Sequence, residues 1–535
     1  MLKIALMLLM LTSTAIMTAQ YKVPSKMDWW YEARFGMFIH FGSYIYLGHG
    51  EWAYFTDTNP IWTKSTYQAQ VSAKFNPTNF NAGTIARLAK NSGMKYLVIT
   101  AKHHEGFCIW KTAVQSFKDV TGTTIFDLPD FTNFKARDIL MELKDSCDAI
   151  GIKFCLYYSI MDWNHSSQEV NRTTYYSTMA SMTARTNYLT DMKAQLSELV
   201  TKYHPAILWF DGDWDGNVTP QTLNDWRNER DGQDLYKYMI GLDSNIIVNE
   251  RVKRDFGLGD YAVAENGVPL TPMNRQWETC NTMNNSWGYN ATDLSFKTTD
   301  SLIHEMVRVV SRDGNYLLNI GPKGDGTVPD QSASILNSFG NWMDKYSQSI
   351  YGTTRSPFSS EPKWGVYTKK DGKLYAHIFW WPTNGLLEVP SLANTINSVY
   401  LLNDTSTSLT YSDSSGYIRV SIPVNAPDPI NSVLVIDMSG VPSAYSGQIN
   451  KVAVLKNETG IFLFPNPTRD GILNIKQTEN TALDIAIYNL SGQLLISRKM
   501  NREDITLDTS ALSPGVYSVK ASNGEKVMIQ KFIRD

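Results

Sequence analysis

The stretch from Leu208 to Gly216, LWFDGDWDG, sets three carboxylates and two indoles behind an apolar run. Carboxylates at alternate positions admit three kinds of chemistry. Asp211, Asp213, Asp215 and Gly216 match the first half of a D-x-D-x-D-G calcium loop. A complete loop also needs a bidentate Glu at its twelfth position and a helix on either side. Here the twelfth residue is Thr222, and the residues before Asp211 read as a strand. A solvated acidic turn is the second reading, and Trp209 and Trp214 beside the carboxylates weigh against it. The third is a strand end that presents one carboxylate among aromatic rings. Retaining glycoside hydrolysis uses such a group, with a second carboxyl about 5 Å away.

The residues that would have to join Asp211 lie far along the chain, so the elements between them decide whether they can meet. Between about residues 28 and 355, short apolar runs alternate with longer amphipathic ones. The runs are GMFIHFGSY (36–44), KYLVITAKHH (95–104), IKFCLYYSI (152–160), AILWFDGD (206–213), NIIVNER (245–251) and NYLLNIGP (315–322), with two weaker ones, DYAVAEN (260–266) and RQWETC (275–280). Segments such as NAGTIARLAKNSG and TDMKAQLSELVTKYH between them have helical periodicity. Buried strands alternating with helices predict a parallel sheet with crossover connections. Eight strands predict a (β/α)₈-like barrel, an α/β fold, made irregular by the missing helices around 255–290.

The polar residues His40, His103, His104, Tyr157, Tyr158, Asp211, Asp213, Glu250 and Arg251 all follow the apolar part of their runs. In a barrel, the C-terminal strand ends share one face, where active sites are built. Side chains alternate along a strand, so His103 and His104 can both reach one pocket only where the backbone turns at the strand's end. A dinuclear metal hydrolase could use such a pair but needs further His ligands; eight scattered His give that reading little support. Asp213 and Asp215 read as loop-shaping residues. Arg251 reads as a partner for Asp211.

Past residue 355 the helical pattern stops. WGVYTKK-DG-KLYAHIFWW, SVYLLND, GYIRVSIP and SVLVIDM predict an antiparallel β-sandwich over 356–440, with Asp371-Gly372 as a hairpin turn. A linker over 441–458 leads to a third unit at 459–535, again a compact β-module. At the other end, MLKIALMLLMLTSTAIMTAQ reads as a signal peptide over 1–19, cleaved after Ala19; its apolar run is too short to span a bilayer. The barrel then occupies 20–355. Cys108, Cys147, Cys155 and Cys280 show no C-x-x-C spacing, so they suggest core thiols and neither a zinc site nor a redox pair. A net charge of -3 leaves no electrostatic footprint for nucleic acid or anionic membrane. Fifteen Trp and 28 Tyr suit a protein that stacks rings on sugars.

FGMFIHFG, GEWAYF, AKHHEGFCIW, LYYSIMDW, LWFDGDW, WETCNTMNNSWGYN and SRDGNYLLNIGPKGDG, in this order over residues 28–355, together resemble the α-L-fucosidases of glycoside hydrolase family 29. The tail from 459, with FPNP and GVYSVK, resembles the type A sorting domain of the type nine secretion system. The first resemblance implies a retaining exo-fucosidase acting on fucosylated glycans or oligosaccharides, with no metal or organic cofactor. It implies Asp211 as nucleophile. His40, His103 and His104 would hold fucose hydroxyls, with Glu51, Trp52, Tyr158 (preferred to Tyr157), Trp209 and Arg251 around the sugar. The acid/base is Glu265 or Glu278; Glu265 is preferred, and Glu278 is then expected to orient the sugar or its neighbours. An inactive fucose-binding relative and a glycosidase for a related sugar such as L-galactose are the alternatives. The second resemblance implies export through the periplasm to the cell surface or medium, with the secretion machinery as partner.

Overall fold

The eight apolar runs form the eight parallel strands of one sheet in a computed structural model of the chain. They are β1 (Phe35–Ile39), β2 (Tyr96–Lys102), β3 (Lys153–Ser159), β4 (Ile207–Asp211), β5 (Ile247–Val248), β6 (Ala262–Glu265), β7 (Trp277–Thr282) and β8 (Gly314–Ile320). The structure describes residues 25–445, apart from 136, 172–176, 214–228, 270–271 and 415, and most of 461–534. The expected signal peptide, the linker from 446 onward, and Trp214, Asp215, Gly216 and Thr222 of the acidic stretch lie outside the described residues.

The strands hydrogen-bond in the order β5-β4-β3-β2-β1-β8-β7-β6. Between β5 and β6 one parallel bridge, Asn249 to Tyr261, closes the barrel. There the Asp260 amide donates to the Val248 carbonyl at 2.7 Å and the Glu250 amide to the Tyr261 carbonyl at 2.9 Å.

Strand alternation sorts the side chains into two cores. Phe38, Tyr96, Val98, Cys155, Tyr157, Ile207, Trp209, Cys280 and Leu317 fill the interior, as one buried cluster. Met37, Ile39, Leu97, Ile99, Leu156, Tyr158, Leu208 and Phe210 belong to the other, which packs the helices against the barrel's outside. The barrel is therefore a filled cylinder. Its lower interior is stopped by α1 (Asp28–Ala33), whose Trp30 ring lies 4.6 Å from that of Tyr261.

Four of the outer helices begin at side-chain caps. Asn81 caps α2 (Ala82–Asn91), Asp138 caps α3 (Ile139–Ile150) and Ser181 caps α4 (Met182–Tyr203), each accepting from a backbone N–H of the first turn. α5 (Glu229–Leu242) precedes β5, Thr298 caps α6 (Thr299–Val310), and α7 (Asp330–Tyr346) follows β8. Among the described residues no α-helix stands between β5 and β7, only the short 3₁₀ turns Glu250–Val252 and Arg254–Phe256. No described helix is long and apolar enough to cross a membrane.

Beyond the barrel, β9 (Gly365–Lys370) and β10 (Lys373–Ile378) are joined at Asp371-Gly372, with Gly372 at φ 74°. β10 pairs with the strand Ser432–Met438, which in turn pairs with Ile396–Leu401, and a three-stranded sheet from Leu386–Pro390, Tyr411–Ser414 and Tyr417–Ser421 covers one face. The facing residues, among them Leu374, Ala376, Leu387, Val389, Ile418 and Ile436, make the sandwich core. On the opposite face the sandwich meets the barrel's helices: the Trp342 indole on α7 donates to the Asn431 carbonyl at 3.0 Å. Residues 447–535 are a separate compact unit. It holds a three-stranded and a four-stranded antiparallel sheet around Ile475, Ile485, Ile487, Val519 and Phe532. All four cysteines are buried free thiols.

Candidate active site

At the C-terminal mouth of the barrel is a cavity of about 340 Å³, lined by Phe38, His40, Glu51, Trp52, His103, His104, Tyr157, Trp209, Asp211, Arg251, Arg254, Glu265, Cys280 and Trp287. Its volume falls in the range of small-ligand sites.

Asp211 ends β4, in phase with the inward-facing Ile207 and Trp209. Its Oδ1 accepts from Arg251 Nη1 at 2.8 Å and its Oδ2 from the Tyr157 hydroxyl at 3.0 Å. Immediately after it the chain turns at Gly212, φ 75°, where a Cβ would stand 2.7 Å from the Met161 amide nitrogen. A glycine is needed there on both counts. The next carboxylate, Asp213, is buried and accepts from the backbone and guanidinium of Arg254, with Nη2 at 2.7 Å. It shapes the turn; it does not line the cavity.

Arg251 sits in the 3₁₀ turn after β5, its guanidinium 4.7 Å above the Trp209 ring. Its second nitrogen, Nη2, donates to Glu265 Oε2 at 2.5 Å. One planar cation thus joins two carboxylates from different strands. Glu265 ends β6 with 42% of its side chain exposed, at the open rim, whereas only 11% of the Asp211 side chain is exposed.

Two of the three histidines have their ring protons assigned by neighbours. Asn319 Nδ2 donates to the Trp287 carbonyl at 2.7 Å, which turns Oδ1 toward His40 Nδ1, also at 2.7 Å. Nδ1 of His40 therefore carries the proton and Nε2 is an acceptor. The Ser159 hydroxyl donates to the Met161 carbonyl at 2.6 Å, so it accepts from His104 Nδ1 at 2.6 Å. His104 Nε2 lies 3.8 Å from Asp211 Oδ2. Burial, reinforced by His103, holds both His40 and His104 well below the ordinary histidine pKa, so both are neutral. The neighbours His103 and His104 face the same cavity because β2 bulges between Thr100 and Lys102 and then turns, with the Gly106 amide bonded to the His103 carbonyl at 3.1 Å.

Glu51 is buried and accepts from the Gly288 amide at 2.7 Å; burial raises its pKa. Trp52 packs against His104 and Trp163, with ring centroids at 5.6 and 5.0 Å.

Two sequence expectations change. Tyr158, preferred as the pocket tyrosine, faces outward; its hydroxyl donates to Gln195 Oε1 at 2.8 Å and its ring lies 4.6 Å from Lys102 Nζ. Tyr157, one residue back and so on the opposite face of β3, takes the place beside Asp211. Glu278, the other acid/base candidate, does not line the cavity. It is sealed below the floor and accepts from Tyr96, from the Trp209 indole at 3.0 Å and from Tyr261 at 3.3 Å. Its burial pushes its pKa up to about 7. Glu278 thus orients Trp209, a cavity wall, and does not itself reach the cavity. Phe38, Arg254, Cys280 and Trp287 line the cavity without having been named as site residues from the sequence; Phe38, Cys280 and Trp287 lay within quoted motifs, and Cys280 was expected only as a core thiol. Among the described residues, no group of three or more His, Cys, Asp or Glu is disposed to hold a metal ion.

The profile of the α-L-fucosidase family matches residues 12–348, that of the α-L-fucosidase C-terminal domain residues 360–436, and that of a secretion system C-terminal sorting domain residues 462–535. An α-L-fucosidase of Dictyostelium discoideum is 30% identical over 461 residues, which are 79% of this chain and 92% of that protein. The crystal structure of α-L-fucosidase isoenzyme 1 from Paenibacillus thiaminolyticus superposes with a TM-score of 0.65 at 30% identity, over 78% of this chain and 99% of that one. A GH29 α-L-fucosidase from Bacteroides thetaiotaomicron, trapped as a covalent intermediate with 2-fluoro-fucosyl fluoride in a Glu-to-Gln variant, superposes with a TM-score of 0.67 at 26% identity, over 78% and 97%. The chain belongs to the α-L-fucosidase family and is a glycoside hydrolase.

Proposed function

We propose that the protein is a retaining exo-α-L-fucosidase in which Asp211 is the nucleophile and Glu265 the acid/base. The observation that carries this reading is the Arg251 guanidinium, which holds the Asp211 carboxylate in the cavity and the Glu265 carboxylate at its rim. Asp211 attacks the anomeric carbon while the bond to the leaving oxygen breaks and Glu265 gives that oxygen its proton. A fucosyl ester on Asp211 results. Water then gives its proton to Glu265 and its oxygen to the anomeric carbon, the ester bond breaks, and fucose leaves with its configuration retained.

The acceptor nitrogens of His40 and His104 accept hydrogen bonds from sugar hydroxyls, His103 and Glu51 hold further hydroxyls, and Trp52, Trp209 and Trp287 supply ring faces. The filled barrel beneath Trp209 favours exo action, because a glycan cannot thread through and only a terminal residue fits. The trapped intermediate of the Bacteroides relative, formed with a fucosyl donor, supports the two-step route. The tail supports export to the surface or medium; with the amino-terminal signal it implies passage through the periplasm.

The test is turnover of aryl α-L-fucoside against aryl α-L-galactoside, with the anomer of the first-released sugar followed by NMR. Preferential fucoside turnover with α-fucose appearing first is expected. A first-formed β anomer would refute the retaining mechanism, and a preference for the galactoside would refute the sugar.

A further inference from the structure

Each cavity histidine has a different group behind it. Asn319 stands behind His40 and Ser159 behind His104, both hydrogen-bonded. Behind His103 stands a carboxylate, Glu105, with Oε2 3.6 Å from His103 Nδ1. That is too long for a direct hydrogen bond. Glu105 is sealed from solvent, with 4% of its side chain exposed, and neither oxygen has a hydrogen-bond partner among the described residues. Among the described residues His103 Nδ1 has no partner either, and the Tyr44 and Tyr67 hydroxyls, buried nearby, have only loose contacts with Thr100 and Ser43. Glu105 raises the pKa of both tyrosines, after burial itself. Gly42 keeps the space: a Cβ there would come within 2.7 Å of Glu105 Oε1 and 2.4 Å of the Tyr44 ring.

On its far side, Glu105 borders a chamber of about 20 Å³ shared with Tyr67, Lys64 and Gln68. That volume is enough for one water, which the Glu105 carboxylate and the Tyr67 hydroxyl at its wall would hold within an otherwise mostly apolar lining. A buried carboxylate costs several kcal/mol unless paired, and packing alone does not call for one here. A group that can use it is the His103 ring, which stacks on Tyr157 at 5.7 Å and touches the sugar cavity on its other edge.

We propose that Glu105 is the positioning residue of His103. Its carboxylate, steadied from behind by a water held with Tyr67, draws the His103 Nδ1–H and so fixes the ring with Nε2 toward the sugar. The contact shortens when a sugar hydroxyl engages Nε2, as such contacts do on going from the free to the occupied site. The fixed ring serves binding in the way that supporting hydrogen bonds lock the rotamers of contact residues. This inference rests on the reading of the cavity as a sugar pocket.

The test is a cycle on the full chain: wild type, Glu105→Gln, His103→Ala and the double variant, assayed on whichever aryl glycoside the wild type turns over fastest. Glu105→Gln keeps the shape and removes the charge. It is expected to raise KM by about tenfold with kcat changed less than about threefold, the signature of lost binding common to ground and transition states. In the His103→Ala background the same change should cost less than about twofold. An equal loss in both backgrounds, or a lowered Tm with unchanged KM, would assign Glu105 a purely structural role. Should Glu105→Gln fail to fold, Glu105→Asp, which withdraws the charge by one carbon, is run through the same cycle and judged by the same comparison. A wild type inert on fucosides but active on another glycoside overturns the choice of sugar and leaves the cycle to judge Glu105.

Discussion

The Tyr157 hydroxyl donates to Asp211 Oδ2 across 3.0 Å, from the strand next to the one that carries Asp211. Arg251 takes the other oxygen, so the carboxylate is held from two sides and cannot swing. Replacing Asp211 by Asn keeps that grip on the carbonyl side but removes the ester-forming group. Asp211→Asn should lower kcat by at least about 10³-fold in a protein that stays folded. Azide should not restore the retained product. Ordinary turnover by this variant would remove Asp211 from the role.

Tyr157 and Tyr158 differ only in which way they face. Tyr157→Phe removes a hydrogen bond to a charged group in the cavity and should lower kcat/KM by roughly 10- to 100-fold, since such bonds contribute about 1.5–3 kcal/mol. Tyr158→Phe loses only the bond to Gln195 outside the barrel. Its kcat/KM should match wild type while its stability falls by about 1 kcal/mol. Parallel kinetics and thermal melts on the two variants check the assignment, and the reverse pattern would overturn it.

As the proposed acid/base, Glu265 should matter in proportion to how badly the leaving group needs a proton. Glu265→Ala should abolish most turnover of fucosyl-oligosaccharides while sparing the first step on an activated aryl fucoside. The second step then limits, and azide, which attacks without losing a proton, should speed it and yield a fucosyl azide of retained configuration. Glu278→Ala should lose activity on both substrates with no response to azide. Azide rescue of Glu278→Ala alone would exchange the two roles.

Glu278 also makes a pH prediction about stability. Burial raises its pKa from 4.5 to about 7 in the fold, so between those values the native state keeps a proton that the unfolded chain has lost. Its stabilising contribution is complete below about pH 4 and is lost as pH rises through 7. The span, about 2.5 units, corresponds to roughly 3 kcal/mol. The stability of Glu278→Gln relative to wild type should therefore improve by about that amount from pH 4 to pH 8. Denaturant midpoints of both proteins at the two pH values measure it, and a difference that does not move with pH would contradict it.

Removal of residues 447–535 should leave the kinetics of the purified enzyme unchanged, because every cavity residue belongs to the other compact unit. In the native host the truncated protein should stay in the periplasm. Normal amounts outside the cell would separate the tail from export.

Much of this architecture was legible in the sequence for a simple reason. Strands buried on both faces are apolar at every position, so they stand out as runs, including the weak ones that became β6 and β7. The convergence of His40, His103, His104, Asp211 and Arg251 followed from their places at the ends of those runs. Register was not legible. That Tyr157 pairs with Trp209, and so shares the inward face with Asp211, depends on how β3 slides against β4. Nor could the sequence show that Tyr96 would cross the barrel to Glu278. The crossing needs Gly36, whose missing side chain leaves room for the Tyr96 ring: a Cβ at that position would stand 2.4 Å from it. Arg254 and Trp287 reach the cavity from irregular segments, where no period marks the inward direction.

The single bridge between β5 and β6 gives the barrel a weak flank, and Arg251 and Glu265 stand on either side of it. Their contact is a clasp across that flank, fastened while the cavity waits. In the proposed reaction, a glycan that draws Glu265 to its departing oxygen would unfasten the clasp, while Asp211, on the continuous arc of the wall, would keep its place. The enzyme can thus yield where the leaving group must go and stay stiff where the sugar is gripped.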